Sequence, residues 1–200
     1  FRRPDPLQSK AAGAPDACTA CHHDKTAEWA AAQIASWSPH GTKDWQDRSA
    51  YIAFGNGDRS EKTLADLTAY VRDVERPALV RATAITALGA TGALSADDGA
   101  ALLKDEDPLV RAAATGALRQ LPAQDRIALL RPLLADPARS VRQRAAVEIA
   151  GAGVAALPAA DDKAWRDGLQ SFVDARMANA DTPESQVALG LLVRHPDRFA

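Results

Sequence analysis

Cysteine is scarce in this chain. Its 200 residues hold two, at Cys18 and Cys21. Once one motif has used both, no thiol is left over for another site. Apolar runs are short, and no stretch of 18 or more apolar residues exists to span a membrane. Charge of one sign is also missing. The net charge is -2 with acids and bases interspersed, which argues against a nucleic-acid surface or a polybasic membrane surface. β-branched residues are sparse, so a large sheet is not expected. Aromatics make up only 5% of the chain, while alanine and leucine abound, a balance that favours helices of small residues packed closely. No Ser-His-Asp set and no phosphate-binding glycine loop is present.

What is present is Cys18-Thr19-Ala20-Cys21-His22, a C-x-x-C-H pentapeptide, the attachment signature of a c-type haem. Two thiols three positions apart can each add to one vinyl group of the same porphyrin. The histidine that follows can then supply the proximal nitrogen to iron. Two other uses of the cysteines remain open, beside a chance occurrence of the motif. They could form a redox dithiol, although no βαβ pattern surrounds them. They could be half of a zinc site completed by His23 and His40. A disulfide between them would close a very small, strained loop, which argues against that use.

The chain reads as three segments. Residues 1–58 form the haem segment, with an extended start through Pro15 and a linker-like Phe1 to Pro6. Because the chain begins at Phe1 rather than Met, it reads as a processed or excised piece of something longer. A helix is expected over 24–37, with Asp24 as N-cap and Ala27, Ala30, Ile34 and Trp37 on one face. A second is expected over 43–54. Trp29, Trp37 and Trp45 either wall the porphyrin or form a small core.

Residues 59–155 repeat. Val-Arg pairs recur at Val80-Arg81, Val110-Arg111 and Val141-Arg142, with Leu102-Leu103 and Leu133-Leu134 between them. A period of about 30 residues with two helices per unit predicts an α-solenoid. Val, Ala four residues on and Leu or Ile eight residues on form its buried stripe. The recurring arginine either bonds an Asp or a carbonyl of the next unit, forming a ladder, or faces solvent. Residues 156–200 predict two further helices that cap the solenoid or start another repeat. Asp161 or Asp162 could cap the first of these, and Thr182-Pro183-Glu184 opens the second. Asp97-Asp98 and Asp161-Asp162 read as helix-start acids rather than a metal site.

The segment PDACTACHHDKTAEWAAAQIASW (15–37), followed by an array carrying RATAITALGA (81–90), resembles the C-terminal part of bacterial multihaem c-type cytochromes. In these proteins a cytochrome domain precedes HEAT-like and tetratricopeptide-like repeats. The resemblance implies haem thioethers at Cys18 and Cys21 and iron ligation by His22. The chain departs from the family in carrying one attachment motif where such proteins usually have several.

The expected fold is therefore all-α: a small haem-binding helical segment, then a HEAT-like α-solenoid of about three helix pairs, then C-terminal capping helices. The expected function is single-electron transfer through covalent haem c, as a subunit or carrier rather than a stand-alone enzyme. Its partners would be a redox protein or neighbouring haem domains, with the solenoid as a docking surface. The expected compartment is periplasmic or extracellular, where covalent haem attachment is completed. For the distal position His40 is favoured, since a helix and a Pro turn could bring it over the ring. His195, Met177, a ligand from a missing segment or another subunit, and an open site are the alternatives. His23 adjoins His22 and cannot reach the opposite face. An open site would point to ligand binding or catalysis. A haem-free interaction scaffold is the remaining rival.

Overall fold

A computed structural model describes residues 4–37, 48–154 and 156–193. Among these it contains eleven α-helices and no strand. The chain divides into two compact units, Phe1–Pro77 and Ala78–Ala200.

The first unit holds α1 (Pro6–Ala11), α2 (Ala27–Trp37), α3 (Ser49–Gly55) and α4 (Glu61–Arg72). The N-terminal stretch expected to be extended instead contains α1. Asp5 caps it by accepting from the Gln8 amide at 3.0 Å, and Pro6 occupies its first turn. Proline suits that position because the N–H it lacks would have no helical partner there. α1 packs on α2, and Lys10 of α1 meets Glu28 of α2 at 2.6 Å.

The expected start of α2 at Asp24 is corrected to Ala27. Thr26 takes the capping role, its Oγ1 accepting from the Trp29 amide at 3.2 Å. Asp and Thr are both capping residue types, and only the local path of the backbone chose between them. Ala27, Ala30 and Ile34 are buried as the spacing predicted, but Trp37 is 76% exposed. α3 packs on α4, whose N-cap is Ser60.

The second unit is the helical-repeat solenoid. It comprises α5 (Ala78–Thr91), α6 (Ala96–Leu102), α7 (Pro108–Ala117), α8 (Ala123–Leu130), α9 (Arg139–Gly151), α10 (Ala159–Met177) and α11 (Pro183–Val193). Short 3-10 turns follow α7 and α8, at Leu118–Gln120 and Arg131–Ala135. α5 packs on α7, α7 on α9, α9 on α10 and α10 on α11.

The predicted stripe is the core. Val80, Ala84 and Leu88 are buried, as are Val110, Ala114 and Leu118, and then Val141, Ala145 and Ile149. Each buried Val, Leu or Ile contributes about 1.5–3 kcal/mol by leaving water. The leucine pairs 102–103 and 133–134 are buried too. Gly89 lets α5 approach α7 so closely that a Cβ there would lie 2.8 Å from the Ala117 Cα.

α10 begins at Ala159, earlier than the capping role given to Asp161 or Asp162 requires. Both acids lie inside its first turn, where they favour the positive end of the helix dipole. Trp165 of α10 is fully buried, and its Nε1 donates to the Ala146 carbonyl at 3.0 Å. Thr182 opens α11, its Oγ1 accepting from the Ser185 amide at 3.4 Å.

Candidate functional site

Cys18, Cys21 and His22 lie on one tight turn. The His22 amide donates to the Cys18 carbonyl at 2.8 Å, and the Cys21 amide reaches the same oxygen at 3.2 Å. The Lys25 amide then donates to the His22 carbonyl at 3.0 Å. This is helical winding, which brings positions three and four apart to the same side.

Asp16 starts the turn. Its Oδ1 accepts from the amides of Cys18 and Thr19, each at 3.0 Å. Its Oδ2 accepts from the Thr19 hydroxyl. That hydroxyl bond, with the amide bonds, holds the Asp16 carboxyl below the usual carboxylate range. The sequence reading missed Asp16. Its signal was an Asp two residues before a motif that needs a turn, the spacing of an Asx turn.

Both thiols are free, Cys18 half-buried and Cys21 exposed. The His22 ring is exposed and sits against Trp29 of α2, with centroids 5.1 Å apart and planes tilted by 59°. Trp29 is thus the tryptophan the structure brings to the motif. Met177 is exposed at the end of α10 in the second unit. His40, Trp45 and His195 lie outside the described residues. Among the described residues, no three His, Cys, Asp or Glu side chains gather to hold a metal ion.

The helix carrying the Trp29 contact is pinned at its start. The hydrogen bond from Lys10 is the main reason the Glu28 carboxyl falls to about 2.

In the repeat unit the recurring arginines form a ladder. Arg81 Nη2 donates to Asp105 Oδ2 at 2.6 Å. Arg111 grips Asp136 with two bonds, Nε to Oδ2 at 2.8 Å and Nη2 to Oδ1 at 2.9 Å. Its Nη1 donates to the carbonyls of Asp105 and Glu106 at 2.8 and 2.9 Å. Arg142 repeats that last contact one unit on, donating to the carbonyls of Asp136 and Pro137 at 2.7 and 3.0 Å. The side chains of Arg111 and Asp136 are 11% and 6% exposed, so this rung is buried rather than solvated. Burial alone would raise the Asp136 carboxyl. The bonds from Arg111 and the Ala138 amide outweigh it and hold the group below its ordinary value.

A second set of cross-unit pairs joins Arg119 to Glu148 and Arg131 to Asp161. The acceptors were legible in principle, since Asp105 and Asp136 each stand six residues before a ladder arginine.

A family model described as HEAT repeats matches residues 79–151. No curated protein and no solved structure matches the chain. The matched stretch runs from α5 to the end of α9 and contains the whole ladder. No described helix is long and apolar enough to cross a membrane.

Proposed function

We propose that the Cys18–His22 turn is a covalent haem c attachment site and that the chain is an electron-transfer module joined to a helical-repeat scaffold. One observation carries this reading: a C-x-x-C-H motif wound into a single turn, with both thiols free and the imidazole exposed. The donor set suits haem c better than zinc, because the motif supplies two thiols and one exposed imidazole, and no three His, Cys, Asp or Glu side chains gather among the described residues to make the closed four-ligand set that structural zinc takes.

Cys18 and Cys21 would hold the porphyrin by thioethers. Each thiol would supply the sulfur of one thioether by adding its S–H across a vinyl group, which needs no oxidant. His22 would bind the iron, and Trp29 would fix the plane of its ring. His40 is the candidate for a second iron ligand. When bound, the haem supplies a one-electron couple whose potential depends on ligand identity and burial. Exposure of Cys21 and His22 leaves room for a redox protein or a neighbouring haem to approach. Attachment of this kind is completed outside the bacterial cytoplasm, so the working compartment would be periplasmic or extracellular. The solenoid would present a docking surface to the partner.

The test is expression in a host with c-type maturation machinery, followed by mass spectrometry of the proteolytic fragment that spans Cys18–His22. Haem should remain on that fragment after denaturation, and the Cys18→Ala/Cys21→Ala variant should lose it. The His22→Ala variant should keep any attached haem but lose the low-spin spectrum. A fragment carrying only free thiols would leave a helical scaffold without haem.

A further inference from the structure

The ladder leaves one group of arginines unexplained. A cleft of about 360 Å³ opens in the repeat unit, between the turn after α7, α8, α9 and the last two helices. Three guanidinium groups line it, those of Arg119, Arg126 and Arg144, with a single carboxylate, Glu148. Arg119 and Glu148 neutralise each other, since Arg119 Nε donates to Glu148 Oε2 at 2.8 Å and Glu148 is buried. Arg144 is exposed and makes no ion pair or hydrogen bond with any described residue. Among the described residues Arg126 reaches only the Arg119 carbonyl, at 3.2 Å, and its Nε is buried with no hydrogen-bond partner among them. A buried donor left unpaired is costly, so it marks a place where an acceptor belongs.

The far wall is apolar. Val147, Phe172 and Leu191 face the cleft, and Leu191 is 59% exposed. The cleft also continues. Arg119 and Arg144 line a second depression of about 300 Å³, floored by small residues of α5 and α7 such as Gly89, Ala113 and Gly116. Thr86 and Gln120 border it with groups able to hydrogen-bond a backbone. The strip therefore has positive charge at its middle, an apolar pocket at one end and a shallow floor at the other. An inorganic anion would use only the middle.

We propose that this strip binds an extended acidic peptide segment of a partner protein, its carboxylates on Arg126 and Arg144 and a leucine-sized side chain in the apolar end. Charge complementarity supports this occupant. The chain as a whole is nearly neutral, at net charge -2, so the local excess of positive charge at Arg126 and Arg144 is what would select an acidic segment here. The inference stands on the repeat unit alone, and a chain that takes up no haem leaves it intact.

The test is fluorescence anisotropy of the full chain with a labelled peptide, Glu-Glu-Leu-Glu-Glu, at low salt. Saturable binding is expected, weakening as salt screens the pairs. Arg144→Glu and Arg126→Glu should each weaken it about tenfold or more, equivalent to about 1.4 kcal/mol. Reversing an exposed charge away from the cleft, Lys104→Glu, should leave it unchanged. A glutamine version of the peptide should not bind, and a serine in place of its leucine should bind less tightly. The thermal midpoint of Arg144→Glu should match the parent, since that side chain is exposed and unpaired. Absence of binding, binding by both arginine variants as tight as the parent's, or tighter binding of a single-stranded oligonucleotide than of the peptide would overturn the proposal.

Discussion

The sharpest mechanical consequence concerns Asp136. Its carboxylate accepts two bonds from Arg111, at 2.8 and 2.9 Å, and one from the Ala138 amide at 2.8 Å. Replacing it with alanine removes all three at once. For an exposed pair such a change costs about 0–1 kcal/mol. For a buried pair, removing one partner costs about 3–5 kcal/mol, because the other charge is left desolvated. The exposures of 11% and 6% place this rung with the buried pairs. Arg111 keeps its two carbonyl contacts, which moderates the loss, so Asp136→Ala should cost about 3 kcal/mol, near the lower end of that range. In a unit of this size that is a fall of about 10 °C in thermal midpoint. Urea and thermal denaturation of the parent, Asp136→Ala, Arg111→Ala and the double variant would measure it. The double variant should cost less than the sum of the singles, since their shared contact is lost only once. The pH dependence has a definite sign. Asp136 is depressed in the folded state, so its contribution is complete above its unfolded value of about 4. The contribution disappears as pH falls through the folded value, so the gap between parent and Asp136→Ala should close in acid. A cost below about 1 kcal/mol would mean that the rung behaves as a surface pair and that the ladder does not hold the units together.

Two further outcomes follow from local geometry. Gly89→Ala gains about 1 kcal/mol of helix propensity but drives a methyl group into the Ala117 backbone, so denaturation should show a net loss of about 1–2 kcal/mol. At Gly116 a Cβ would meet only Glu148 Oε1, at an ordinary 3.7 Å, so Gly116→Ala should stabilise by up to about 1 kcal/mol. In the first unit, Lys10→Ala should raise the Glu28 carboxyl from about 2 toward its ordinary value, read by NMR titration, with little change in stability because the pair is exposed.

The repeat unit was largely legible because its signals are local and periodic. A Val, Ala, Leu/Ile stripe at spacings of four reports a buried helix face wherever it occurs, and three copies identify a stack. The ladder was only half legible. An arginine after each valine was visible, but its acceptor lies about 25 residues downstream, and only the close stacking of α5, α7 and α9 brings the two together. Competing local signals misled elsewhere. Asp24 and Thr26 can both cap a helix, and Asp5-Pro6 reads equally well as a linker and as a helix start. Trp37 fell on the apolar face by spacing, yet it is the last residue of α2 and lies exposed. The cleft with Arg126 and Arg144 left no pattern, since its walls come from five separated stretches of chain. The C-x-x-C-H motif was legible outright, and the structure adds the turn, the Asp16 contacts and the Trp29 ring.

Haem stoichiometry tests the attachment site at Cys18 and Cys21 directly. The chain should be produced with c-type maturation machinery, and its pyridine haemochrome measured together with oxidised and reduced visible spectra. One covalent haem per chain, with sharp low-spin α and β bands on reduction, is the predicted result, and a high-spin His40→Ala variant would assign the distal ligand. A colourless protein with two titratable thiols would contradict the account.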